Sequence, residues 1–227
     1  MPTIDQVMNR VLVSHDWLGR NFETFLRTQD PQGDFRRMLM STTAIVLGTQ
    51  VRPSFYYAVS GAIYLDADTF WLTAEERDTV NEVPDYRSKF GKQLQYDDLW
   101  RYVKDGRNIF LFYDPHARVS RSMEDVQLEA AQLLFHELGH ALDFLPPEDY
   151  PLLDTRLSAW TNMLPRYNRY RNTSDVVAQM FPLTASAMYA LAEVKYRGAT
   201  PTDVQKGYTP EQVAAFFSAD RATDPYA

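Results

Sequence analysis

The sequence predicts an α+β fold in which helix dominates. Three observations carry that expectation. Apolar residues recur at three- and four-residue spacing over most of the chain. Short aromatic and β-branched runs, the signal of strands, fall only between residues 56 and 113. One long helical pattern follows them, and further helical stretches follow that. The 227 residues are read as a single domain, 1–227. It has a helical N-terminal part at 1–55, strands plus a central helix at 56–145, and a helical C-terminal part at 146–227.

Ile4, Val7, Met8, Val11, Leu12, Leu18, Phe22, Phe25 and Leu26 predict one or two amphipathic helices. Asp30-Pro31-Gln32-Gly33 is a turn. A second helix is expected over residues 34–48, broken by Arg52-Pro53-Ser54. Strands are expected at 56–59 and 62–65, with Gly61 between them. Residues 66–108 are polar and turn-rich, with short helices near 73–80 and 97–103. Ile109-Phe110-Leu111-Phe112-Tyr113 reads as a strand closed by Asp114-Pro115. The clearest helix then begins at Ser122, an N-cap residue followed by Glu124 and Asp125 at the positive end of the dipole. It stops at about Phe144, before Pro146-Pro147. Helices near 153–163, 174–196 (with a break at Pro182) and 210–218 complete the pattern.

Composition narrows the function classes. Hydrophobic residues are 45% and charged residues 23%, as in ordinary globular chains, so a disordered or fibrous chain is excluded. The absence of cysteine excludes a disulfide scaffold, a Cys-ligated zinc site, an iron–sulfur cluster and a thiol nucleophile. A net charge of −7 argues against a nucleic-acid partner, which needs a basic face. No run reaches the roughly 20 apolar residues of a membrane span. The N-terminus lacks a signal-peptide pattern. The compartment is unassigned; had a leader been removed, a bacterial cell envelope or a secreted location would fit.

Chemistry concentrates in His136-Glu137-Leu138-Gly139-His140, an HExxH match inside the central helix. Two His at i and i+4 lie on one helical face and reach a single metal ion. Glu137 is turned about 100° from His136 and reaches a metal-bound water rather than the metal. Neutral imidazoles with a carboxylate oxygen and an open fourth position suit Zn2+. A chain of this composition contains such a match by chance only roughly 0.003 times. Gly139 inside the helix costs about 1 kcal/mol against Ala, which suggests a close backbone approach there, such as a crossing helix.

Extended, the motif reads Phe135-His136-Glu137-Leu138-Gly139-His140-Ala141-Leu142-Asp143. This resembles the zincin metallopeptidases, and among them it is similar to the lethal-factor-like gluzincin group. The strong match covers nine residues, supported by the order of strands, active helix and helical C-terminal part. The resemblance implies a zincin-like domain with a small sheet packed on the HExxH helix. It implies zinc on His136 and His140, Glu137 as general base, and a peptide or protein substrate. It also implies an edge strand that pairs with extended substrate, by analogy residues 62–65 or 109–113.

Three protein ligands are expected and two are secure. His15 and His116 precede the helix, whereas zincin third ligands follow it. Metzincins place a third His where this chain has Pro146. Asp143 shares the face of the two His and is read as an acceptor for a ligand imidazole. Gluzincins take a Glu from a later helix, and Glu193 is the best candidate in the chain. Glu148 is too near, Glu211 reads as a first-turn helix residue, and a ligand beyond residue 227 is the remaining alternative. The oxyanion donor is open among Tyr189, Tyr196, Tyr208 and Tyr226. Two other readings stand beside the peptidase. One is a catalytically silent zincin-fold module that binds a partner or metal. The other is a non-proteolytic HExxH hydrolase, whose deformylase form needs the Cys this chain lacks. The aromatic run 52–57 and the basic run 166–171 are read as packing and a solvated helix end. The Asp residues 66, 68, 97, 98 and 105 do not follow calcium-loop spacing.

Overall fold

The computed structural model describes residues 1–97, 102–110, 113–114, 116–180 and 186–221. They form two compact units, Met1–Val83 with Tyr102–Asn172, and Pro84–Arg101 with Thr173–Ala227. The class is α+β and helix-dominated, with a mixed four-stranded sheet and a helical C-terminal part.

The first unit opens with α1 (Ile4–Met8), β1 (Val11–Val13) and α2 (Asp16–Gln29). The expected N-terminal helix is therefore interrupted: Val11, Leu12 and Val13 are a strand. Three consecutive apolar residues, two of them β-branched, suit a pleated surface better than a helix stripe. After α3 (Asp34–Met38) the expected second helix gives way to β2 (Ile45–Gly48). The apolar run that reads as helix is a central parallel strand, where continuous hydrophobicity is the rule. A hairpin of β3 (Phe55–Tyr57) and β4 (Ala62–Asp66) completes the sheet in the order β1-β2-β4-β3. Strands β1, β2 and β4 are parallel, and β3 is antiparallel to β4.

Register explains which face is buried. Ile45 pairs with Ile63, and Ile63 with Tyr56. Ile45 and Ile63 are fully buried and join Leu18, Phe22, Phe25 and Leu26 of α2 in one core. Each such side chain contributes about 1.5–3 kcal/mol by leaving water. On the opposite face Leu12, Val46, Tyr64 and Phe55 stand in register across all four strands. Phe55 stacks on Tyr64 with ring centroids 4.5 Å apart.

The chain continues through α4 (Ala74–Arg77) to a hairpin of β5 (Val103–Lys104) and β6 (Arg107–Asn108). Asp105 and Gly106 at its tip both have positive φ, as a tight two-residue turn requires. The short helix expected at 97–103 is not formed at Val103, and residues 98–101 lie outside the described residues. Ile109, Phe110 and Tyr113 are not in a strand; Leu111 and Phe112 of that expected strand also lie outside the described residues.

The long helix α5 (Met123–Phe144) matches its sequence limits. Ser122 accepts from the Asp125 amide, and Asp125 accepts from the Ser122 amide, a reciprocal cap. Next to the cap, Arg121 is buried with its guanidinium 3.6 Å from the Trp71 ring, donating to the Trp71 carbonyl. Helix α6 (Ala159–Tyr167) then closes the unit, starting later than expected because Ser158 supplies the cap.

The second unit contains α7 (Thr173–Met180), α8 (Ser186–Arg197), α9 (Asp203–Lys206) and α10 (Pro210–Arg221). The expected break at Pro182 lies outside the described residues. Leu191 and Val194 are its buried residues on α8, and α8 packs on α10. Among the described residues no helix is long and apolar enough to cross a membrane.

Candidate metal centre

The register of α5 against the core decides where the motif points. Val126, Ala130, Leu134, Leu138 and Ala141 form its buried stripe. Those positions recur every three or four residues, so they share one face. His136 and His140 necessarily fall on the opposite side, and both are exposed. Their rings meet edge to face, with centroids 4.9 Å apart. Burial, and then the neighbouring His140, hold the His136 imidazole below its ordinary pKa. The neutral imidazole is the form that ligates a metal.

Glu137, one residue on, is turned to the buried side of α5 and is only 3% exposed. Asp143 is half-buried and lies on the face of the two His, as the spacing requires. Gly139 is exposed, and among the described residues a Cβ there would meet nothing within 4 Å. The close approach expected at Gly139 is thus not present among them.

The remaining sequence candidates sit as follows. Glu193 is on α8 in the second unit, exposed, with Arg197 Nε 3.5 Å from its carboxylate. Glu211 is in the first turn of α10, where the backbone and Thr209 hold its carboxyl below the usual range. Glu148 accepts from Arg166 at 3.0 Å, so the basic run 166–171 is partly spent inside the chain. His15 precedes α2, with Nδ1 3.0 Å from Ser14 Oγ, and His116 lies in an exposed loop. Tyr189 and Tyr196 are exposed, Tyr208 packs edge-on against Phe216, and Tyr226 lies outside the described residues. Among the described residues no group of three or more His, Asp or Glu side chains is gathered to hold a metal ion.

The strand beside α5 differs from the one the resemblance suggested. Residues 62–65 lie in β4, which is paired on both sides and so is not an edge. The edge is β3. Gly61, with φ +69°, lets the chain fold back so that Phe55–Tyr57 pairs antiparallel with β4. Tyr56 points inward to Phe144 of α5, with centroids 5.9 Å apart, and its hydroxyl lies 3.6 Å from Met163 Sδ. Burial pushes the Tyr56 phenol up to about 12. Phe55 and Tyr57 face outward.

One titratable group escaped the sequence reading. Glu129, two turns before His136 on the same face, has its carboxyl pushed up to about 7 by burial. The Arg121 charge opposes that rise, and Asp68 and Asp66 add to it. The seven-residue spacing from His136 was the available signal. No family model, curated protein or solved structure matches the chain.

Proposed function

We propose that the chain is a zinc-dependent metallopeptidase of the gluzincin kind, with a zincin-like arrangement of sheet and active helix. The supporting observation is the split within one helical turn. Two imidazoles stand exposed side by side, while the carboxylate between them is buried. That donor set fits zinc: two neutral nitrogen ligands on one face and a carboxylate kept off the ligand positions. His136 and His140 would hold the ion, and a Glu as third ligand is what the sequence resemblance implies. Bound zinc supplies Lewis acidity, acidifying water and polarising the scissile carbonyl. Glu137 takes the proton and passes it to the leaving amine. Asp143 orients a ligand imidazole. The free edge of β3 offers backbone groups to an extended peptide.

A second reading is a silent module of the same fold that binds metal or a partner without turnover. It is favoured by the absence, among the described residues, of a gathered third ligand. Zinc content and peptide hydrolysis of the parent, Glu137→Ala, His136→Ala, His140→Ala and Glu193→Ala separate the two. A peptidase loses about 10²–10⁴ in rate on Glu137→Ala while keeping its zinc. The His variants, and Glu193→Ala if that residue is the ligand, lose zinc as well. A parent that holds one zinc and cleaves nothing in a broad peptide pool is the silent module.

A further inference from the structure

The ridge that carries the two imidazoles does not end at His140. Phe144 follows His140 by four residues and His136 by eight, so the three side chains stand one above another on one side of α5. Two elements of the same unit bring rings to Phe144. Tyr56 of β3 lies 5.9 Å from it, and Tyr167, the last residue of α6, stacks on it at 6.3 Å with planes 16° apart. Trp160, two turns earlier on α6, packs on Tyr167 at 5.3 Å. Trp160, Met163 and Tyr167 recur at helical spacing, so α6 turns one face to this cluster. The rings are not sealed off: Tyr167 is 47% exposed, and Trp160 and Phe144 are half-buried. Arg166, next to Tyr167 in the chain, is engaged by Glu148 at 3.0 Å and Asp149 at 2.7 Å. What the cluster presents to a ligand is uncharged ring surface beside the candidate metal centre.

The free edge of β3 decides what reaches these rings. A peptide that pairs along β3 puts one residue opposite Tyr56, with its side chain on the same face and its Cβ about 5 Å from that of Tyr56. That face is the one on which Tyr56 meets Phe144. The next residues of the peptide point the other way, with the exposed Phe55 and Tyr57. Phe144 lies about 6 Å along α5 from His140 and only about 40° further round the helix, so the two places share one side. An extended chain advances about 3.3 Å per residue, which puts the residue opposite Tyr56 within about three residues of a bond held at the imidazoles. An aromatic side chain there meets rings edge-on or offset-stacked, a preference of about two- to tenfold beyond its apolar area.

We infer that Phe144, Tyr167 and Trp160 select the substrate by receiving one aromatic side chain, that of the residue paired opposite Tyr56. The inference rests on the peptidase reading. A randomised peptide pool locates the cleaved bond, and peptides then vary singly through the three residues on either side of it. In the parent one position favours Phe over Ala by about tenfold in kcat/KM. The same position favours Phe over cyclohexylalanine, its saturated counterpart, by about two- to tenfold. Tyr167→Ala brings the Phe-to-Ala ratio below about three, and Tyr167→Phe keeps it near ten. Phe144→Leu, which leaves an apolar side chain on α5, repeats the loss. A packing role alone lowers both kcat/KM values equally and leaves the ratio. A cleaving parent with no position that favours Phe, equal values for Phe and cyclohexylalanine, or a tenfold ratio kept in both Tyr167→Ala and Phe144→Leu overturns the inference. If the parent cleaves nothing, the peptidase reading falls and calorimetric titration decides, with ten-residue peptides that carry one central Phe or Ala. A tenfold tighter Kd for Phe, lost in Tyr167→Ala and kept in Tyr167→Phe, retains the aromatic site as a binding site. Equal Kd values, or no binding of either peptide, remove it.

Discussion

Glu129 and Glu137 stand eight residues apart on one helix, and their surroundings separate what they can do. Glu137 is 3% exposed and lies between two imidazoles in sequence, the position that the proposed function gives to the general base. Glu129 is half-buried beside Arg121, Asp66 and Asp68, and burial outweighs the arginine, lifting its carboxyl from 4.5 to about 7. A carboxyl raised in the folded state favours the protonated form there. Its contribution to stability is present in full below pH 4.5 and is lost as pH rises through 7. Glu129→Gln keeps the neutral shape at every pH. The variant should therefore match the parent near pH 4 and exceed it at pH 8 by about 3–3.5 kcal/mol, from 1.36 kcal/mol per pKa unit. Urea unfolding at the two pH values measures this. A gap that is equal at both, or larger at low pH, would show that Glu129 ionises normally.

At the scale of elements, α5 carries both the core and the candidate site, and different changes on it should separate the two. Leu134 is fully buried in the stripe opposite the imidazoles. Leu134→Ala should cost about 3–4 kcal/mol through the cavity it leaves. Gly139 sits on the exposed side with open space around it. Gly139→Ala should stabilise the helix by about 1 kcal/mol and leave zinc content unchanged, as thermal melts and metal analysis would read. Gly61 is the opposite case. Its φ is +69°, and a Cβ would lie 2.8 Å from Ala159 Cβ and 3.0 Å from Thr43 Cγ2. Gly61→Ala should cost about 2–3 kcal/mol and loosen the β3–β4 hairpin. Legibility follows the same contrast. The limits of α5 are readable because Ser122, the acidic first turn and Pro146-Pro147 are local signals. Strands β1 and β2 are not, because Val11–Val13 and Ile45–Gly48 earn their conformation only by pairing with each other, 34 residues apart in register. The Asp105-Gly106 turn of the second hairpin is a local signal that the sequence reading passed over.

For the whole molecule, the motif residues and their facing are legible because helical geometry alone puts His136 and His140 together and turns Glu137 away. A third ligand for the proposed centre is not, because it would depend on how distant segments pack, and spacing carries no such information. Metal linkage gives a measurement that does not depend on naming it. A ligand that binds only the folded chain stabilises it by RT ln(1 + [L]/Kd), about 2.7 kcal/mol at 100 times Kd. For a chain of this size each kcal/mol moves Tm by about 2–4 °C. Zinc at that excess should therefore raise the transition of the unit containing α5 by about 5–10 °C in calorimetry, and a chelator should reverse it. The rise should vanish in His136→Ala and His140→Ala and survive in Glu137→Ala, because only the first two supply nitrogen to the metal. A rise of equal size in all four proteins would mean that zinc binds elsewhere, and the helix would then carry two packed histidines and no centre.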